Sequence, residues 1–146
     1  MPSTIRAAVC RAFGRPLDVE TLSLRDPAPG EIEVEIEAVA ICHSDISFIE
    51  GAWGGTLPAV HGHEAAGRVT ALGDGVTKAA PGERVLVTLI RACGTCPDCA
   101  GGQPVYCAAP ETDAPKLTDA EGHAVQAAME FADFAVYRMR VLDGMS

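Results

Sequence analysis

A chain of 146 residues that is 48% hydrophobic and 21% charged has the length and composition of one globular domain with a core of its own. No apolar run approaches the roughly eighteen residues of a membrane-spanning helix, which excludes that class. A formal charge of -9 with no cluster of Lys or Arg argues against a nucleic-acid surface. Only Met-Pro-Ser-Thr precedes the first strand-like run, so the expectation is a soluble, cytoplasmic protein with no export leader.

Ile5 to Arg11 alternates Ile5, Ala7 and Val9 with Arg6, Ala8 and Cys10, the period of a half-buried strand. Cys10 reads as a small core residue. Phe13-Gly14-Arg15-Pro16 is a turn, Leu17 to Leu24 a second strand, and Asp26-Pro27-Ala28-Pro29-Gly30 a loop. From Glu31 to Ala38 acids alternate with apolar residues. That pattern predicts a strand with Ile32, Val34, Ile36 and Ala38 inward and four carboxylates on a solvated face.

Val39 to Ile41 leads into Cys42-His43-Ser44-Asp45, then Ile46, Phe48, Ile49 and Gly51. The pattern predicts one or two helical turns, capped by Ser44 or His43 and stopped by the glycine. A loop, Trp53 to Pro58, delivers the chain to His61-Gly62-His63-Glu64. Each residue is unremarkable alone, but Cys42, His63 and Glu64 together offer the S, N and O donors that bind zinc.

Arg68 to Leu72 alternates again, Gly73-Asp74-Gly75 reads as a hairpin turn, and Val85 to Ile90 as a short buried strand. That strand feeds Cys93, Cys96, Cys99 and Cys107, four thiols within fifteen residues. Gly94, Pro97, Gly101, Gly102 and Pro104 supply bends, and four cysteine ligands leave no open position, so the lobe is predicted to hold a structural zinc. Disulfides would require an oxidising compartment. A bacterial iron–sulfur run places its fourth cysteine three residues on, before a proline, whereas here the gap is seven and Ala108 follows.

Ala108 to Glu130, rich in Ala, Pro, Asp and Thr, reads as an extended loop with at most a helical turn at Val125 to Met129 and an exposed His123. Phe131 to Tyr137 looks like a last strand.

In this order, Cys42-His43-Ser44-Asp45, Pro58-x3-Gly62-His63-Glu64 and Cys93-x2-Cys96-x2-Cys99-x7-Cys107 resemble the catalytic domain of the zinc-dependent alcohol dehydrogenases, in the medium-chain dehydrogenase/reductase family. The resemblance runs from about Ile5 to Cys107. It implies a mostly β fold: a GroES-like, partly closed β-barrel with short helices and a zinc lobe over residues 91–110. It also implies a catalytic zinc on Cys42 and His63, with Glu64 behind or exchanging onto the metal, and a structural zinc on the four later cysteines. In this role Ser44 takes up the alcohol proton, Asp45 accepts the free ring N–H of His63, and His43 contacts the pyrophosphate of NAD or NADP. Trp53 and Leu89 match positions lining the pocket for an alcohol or aldehyde.

Three departures accompany the match. Ser47 stands where many relatives carry a proton-relaying histidine, no Gly-x-Gly-x-x-Gly turn occurs, and no cysteine follows Cys107 to complete the catalytic zinc. Glu64, Glu130 and Asp133 are the candidate replacements. Residues 1–146 are therefore expected to form an incomplete catalytic domain without its nucleotide-binding domain, in an enzyme for which a homo-oligomer is one expected assembly. The alternative is a free-standing zinc module without redox activity.

Overall fold

A computed structural model describes residues 3–88, 96–107, 116–127 and 136–139. Nine strands, two short helices and a 3-10 turn over Pro104–Tyr106 are described, so the chain is mostly β as expected. The strands are β1 (Ser3–Cys10), β2 (Asp18–Leu24), β3 (Ile32–Val39), β4 (Ala59–Val60), β5 (Ala65–Leu72), β6 (Arg84–Val87), β7 (Leu117–Thr118), β8 (Ala124–Ala127) and β9 (Val136–Met139). The helices are α1 (His43–Ile49) and α2 (Pro97–Ala100).

β1, β2, β7, β8 and β4 close into a barrel, and β6, β5, β3 and β9 form a second sheet. The period-two pattern of β1 is realised: Ile5, Ala7 and Val9 turn inward to pack with Leu22, Leu24, Leu117 and Val125. Cys10 breaks the alternation by also being buried, its thiol 3.6 Å from the Ala12 carbonyl. A second core joins Ile32, Val34 and Ile36 of β3 to Val69 and Val87. Gly67 lets β5 approach β3, because a Cβ there would lie 2.2 Å from the Glu35 carbonyl oxygen.

The acid face of β3 departs from expectation. Glu31 and Glu33 are buried, whereas Glu37 is exposed and pairs with Arg68. A register shift between Glu33 and Val34 interrupts the pleat, so Ile32, Glu33 and Val34 are buried in succession. Each buried carboxylate is satisfied: Thr70 Oγ1 and Ser3 Oγ donate to Glu33, while Arg25 makes a two-pronged contact with Glu31 at 2.6 and 2.8 Å. Lys116 Nζ lies 3.9 Å from the same carboxylate. A second shift beyond Ile36 turns Ala38 outward.

Other boundaries also move. β2 starts at Asp18, leaving Leu17 exposed. Gly73-Asp74-Gly75 does not close a hairpin of β5 on β6, which pair from Ala65↔Val87 to Arg68↔Arg84 across the 73–83 loop. The Gly73 N–H bonds the Glu31 carbonyl instead, extending the β3–β5 ladder. Val85 to Ile90 is not buried throughout: Leu86 is 81% exposed, and residues 89 and 90 lie outside the described residues. Within the expected 108–130 loop, β7 and β8 are strands that complete the barrel, and Ala124–Ala127 is strand where a helical turn was expected. Asp119 caps their connection by accepting the backbone N–H groups of Glu121 and His123, the latter exposed as expected. The last strand runs parallel to β3 over Val136–Met139, and residues 131–135 lie outside the described set.

Candidate functional site

The site forms where the barrel meets the second sheet. β4 is held between β1 and β8, so the chain leaving it at His61 is anchored by the barrel. β3 brings in Cys42 from the other side, and the Ala40 N–H donates to the Glu64 carbonyl to tie the two segments together. Between the two histidines Gly62 adopts φ +131°, a conformation that side-chain-bearing residues rarely take.

Cys42, not Ser44 or His43, is the residue before the first turn of α1. Its N–H donates to Asp45 Oδ2 at 2.9 Å, and the Asp45 N–H returns to the Cys42 carbonyl at 3.1 Å. Asp45 Oδ1 lies 3.1 Å from His63 Nδ1, with both side chains buried. A carboxylate only accepts, so Nδ1 carries a proton toward Asp45, and in the neutral ring Nε2 is then the nitrogen with the free lone pair. Nε2 faces Ser44 Oγ at 3.3 Å and Glu64 Oε1 at 3.6 Å. The donor atoms of Cys42, His63 and Glu64 lie within 4.8 Å of one another. Sulfur, nitrogen and oxygen donors gathered this closely are a set that suits a zinc ion.

Thiol donors cluster again in the lobe, where Cys96, Cys99 and Cys107 also present sulfurs within 4.8 Å of one another. Pro97 opens α2, the Cys99 N–H points at Cys96 Sγ at 3.5 Å, and the Gln103 N–H bonds the Asp98 carbonyl to reverse the chain towards Cys107. Three converging soft sulfurs suit zinc. Cys93, the fourth expected ligand, lies outside the described residues, as do Leu89, Glu130 and Asp133. His43 is exposed at the start of α1, and Ser47 is half-buried one turn further on.

One participant was not singled out from sequence. His61 stacks on Phe48, ring centroids 5.6 Å apart and 21° between planes, and Trp53 meets the same Phe48 edge-on at 5.0 Å. Both His61 ring nitrogens are buried with no hydrogen-bond partner among the described residues. Burial pushes its pKa down, opposed by the nearby Asp45 charge. The available signals were the His-x-His spacing and the four-residue step from Ser44 to Phe48, which puts both on one helix face.

With this geometry in view, the likenesses of the chain are informative. The alcohol dehydrogenase GroES-like domain family matches residues 28–138. An alcohol dehydrogenase of Moraxella sp. (strain TAE123) is 41% identical over 106 residues, covering 70% of this chain and 31% of the relative. The NDMA-dependent alcohol dehydrogenase of Amycolatopsis methanolica is 40% identical over 102 residues, covering 70% of this chain and 28% of its own. Among solved structures, an alcohol dehydrogenase zinc-binding domain protein from Burkholderia ambifaria superposes with a TM-score of 0.80 at 35% identity, over 88% of this chain and 37% of that one. The chain thus spans less than a third of the length of these two curated relatives. By the extent of these matches and the GroES-like fold they share, the chain belongs to the alcohol dehydrogenase GroES-like domain family.

Proposed function

We propose that the chain is the catalytic-domain portion of a zinc-dependent alcohol dehydrogenase, which in full length oxidises an alcohol, or reduces an aldehyde or ketone, by hydride exchange with NAD or NADP. The observation that carries this reading is the convergence of Cys42, His63 and Glu64 around a point that Ser44 also faces. A reaction centre needs metal donors and a proton acceptor side by side, and a purely structural site has no use for the hydroxyl.

Cys42 and His63 hold the metal, with Glu64 as the third donor, and Cys93, Cys96, Cys99 and Cys107 hold a second, structural zinc. Zinc bound at the first site supplies a Lewis acid that lowers the pKa of a substrate hydroxyl. Ser44 Oγ would relay that proton, accepting it from the substrate hydroxyl while its own O–H proton passes to solvent water, and its 3.3 Å approach to His63 Nε2 keeps it beside the metal donors. Asp45 fixes the tautomer and rotation of His63. His43 and Trp53, both exposed, are available to the cofactor and to the substrate respectively. The protein acts in the cytoplasm, with small-molecule partners.

Cobalt(II) titration tests the site directly, since a thiolate–cobalt band should appear in the native chain and weaken in Cys42→Ser. Alcohol-dependent NAD(P)H formation by the full-length enzyme tests the reaction. Cobalt binding that is indifferent to Cys42, or a zinc-loaded full-length enzyme inert towards all alcohols and aldehydes tried, contradicts the reading.

A further inference from the structure

The contacts between α1 and the 59–64 segment form two rungs. Ser44 and Asp45 face His63 on the first, and one helical turn on, Phe48 faces His61 on the second. Ser44 and Phe48 are four residues apart and share a helix face, while His61 and His63 are two apart. The first rung is polar and the second is a flat aromatic stack. Trp53 packs against the outer rung, edge-on to Phe48, and is 62% exposed.

From this arrangement we infer that His61 is a positioning residue: its ring, stacked behind Phe48, sets the orientation of Trp53, the side chain that the proposed function offers to the substrate. The inference rests on the dehydrogenase reading for the role given to Trp53. Among the described residues neither His61 nitrogen has a hydrogen-bond partner, and the ring meets Phe48 face to face. A flat aromatic plate of similar size should therefore replace it, whereas an aliphatic side chain should not, because a branched surface cannot keep a ring parallel to it.

Trp53 is the single tryptophan of the chain, so its fluorescence reads its surroundings without any assay of activity. His61→Leu should red-shift Trp53 emission and steepen its quenching by acrylamide, and His61→Phe should keep both at the wild-type values. Phe48→Leu, which removes the middle ring, should reproduce the His61→Leu change. In the full-length enzyme, His61→Leu should raise KM for alcohols more than it lowers kcat, with His61→Phe restoring KM.

Unchanged emission and quenching in His61→Leu would overturn the inference, as would a His61→Phe variant displaced as far as His61→Leu. A folded chain is verified in each variant by circular dichroism, and an unfolded His61→Leu leaves the Phe48→Leu and His61→Phe pair to decide on the same criteria. Fluorescence shifts in the expected order with no alcohol turnover by the wild-type enzyme would sink the dehydrogenase reading and spare the stack. Turnover with no fluorescence response would do the reverse.

Discussion

Asp45 and His63 are joined by a 3.1 Å contact between Oδ1 and Nδ1, and the other oxygen of the same carboxylate accepts the Cys42 N–H. One side chain thereby aligns the thiol-bearing residue and the imidazole before any metal arrives. Asp45→Asn should keep the fold yet weaken zinc binding at this site by about 10- to 100-fold, the usual effect of losing a partner behind a metal ligand. Competition with a chromophoric chelator measures the affinity. An unchanged value would mean that the contact aligns nothing that matters.

Ser44→Ala in the full-length enzyme should lower kcat by about 100- to 10,000-fold, the range over which a positioned proton acceptor acts. Zinc content should not change, because the hydroxyl is not among the proposed donors. Steady-state kinetics and elemental analysis on one preparation separate the two effects, and wild-type kcat in the variant would remove Ser44 from the mechanism.

In the cysteine lobe, Cys99→Ser should release one zinc and make residues 96–107 susceptible to protease. The described residues of the lobe form one short helix and a 3-10 turn and hold no fully buried side chain, so little apolar packing there replaces the metal. Elemental analysis with limited proteolysis decides, and retained zinc with an intact lobe would rule out closed coordination through Cys99.

Glu31 makes the fold sensitive to acid. Burial alone would raise its carboxyl pKa, but the hydrogen bonds from Arg25 and the Ala28 N–H, with the Arg25 and Lys116 charges, hold it below the ordinary value. The folded chain therefore binds this proton more weakly than the unfolded chain. The stabilisation is present above the ordinary carboxylate pKa and fades as pH falls through the depressed one. Glu31→Gln should cost about 1–3 kcal/mol at pH 7, because it strips the Arg25 guanidinium of its charged partner. Urea midpoints at pH 7 and in acid check both points: the difference between wild type and variant should shrink as pH falls, and a constant difference would exclude the linkage.

Much of the architecture was legible in the chain. Ile5, Ala7 and Val9 announce their strand because a pleated segment repeats every two residues, and the donors grouped from sequence as Cys42, His63 and Glu64, and as Cys96, Cys99 and Cys107, are ones that the fold brings near one another. The short strands β7 and β8 were not legible. Two or four residues carry too little period to register, and they are strands because β2 and β4 supply their hydrogen-bond partners.

The strand over Ile32–Val39 separates the two kinds of information most clearly. Alternation by itself determined that this segment is extended and that Ile32, Val34 and Ile36 face one way. Only the tertiary structure decided the fate of its acids. A register shift against β5, with Thr70 and Ser3 arriving from other strands and Arg25 from just beyond β2, made burial of Glu31 and Glu33 affordable in free energy, because each lost water contact was replaced by a donor. The same holds for His61: its neighbours in sequence say nothing of Phe48. That contact exists because α1 and the exit of β4, successive crossings between the two sheets, are brought face to face by folding.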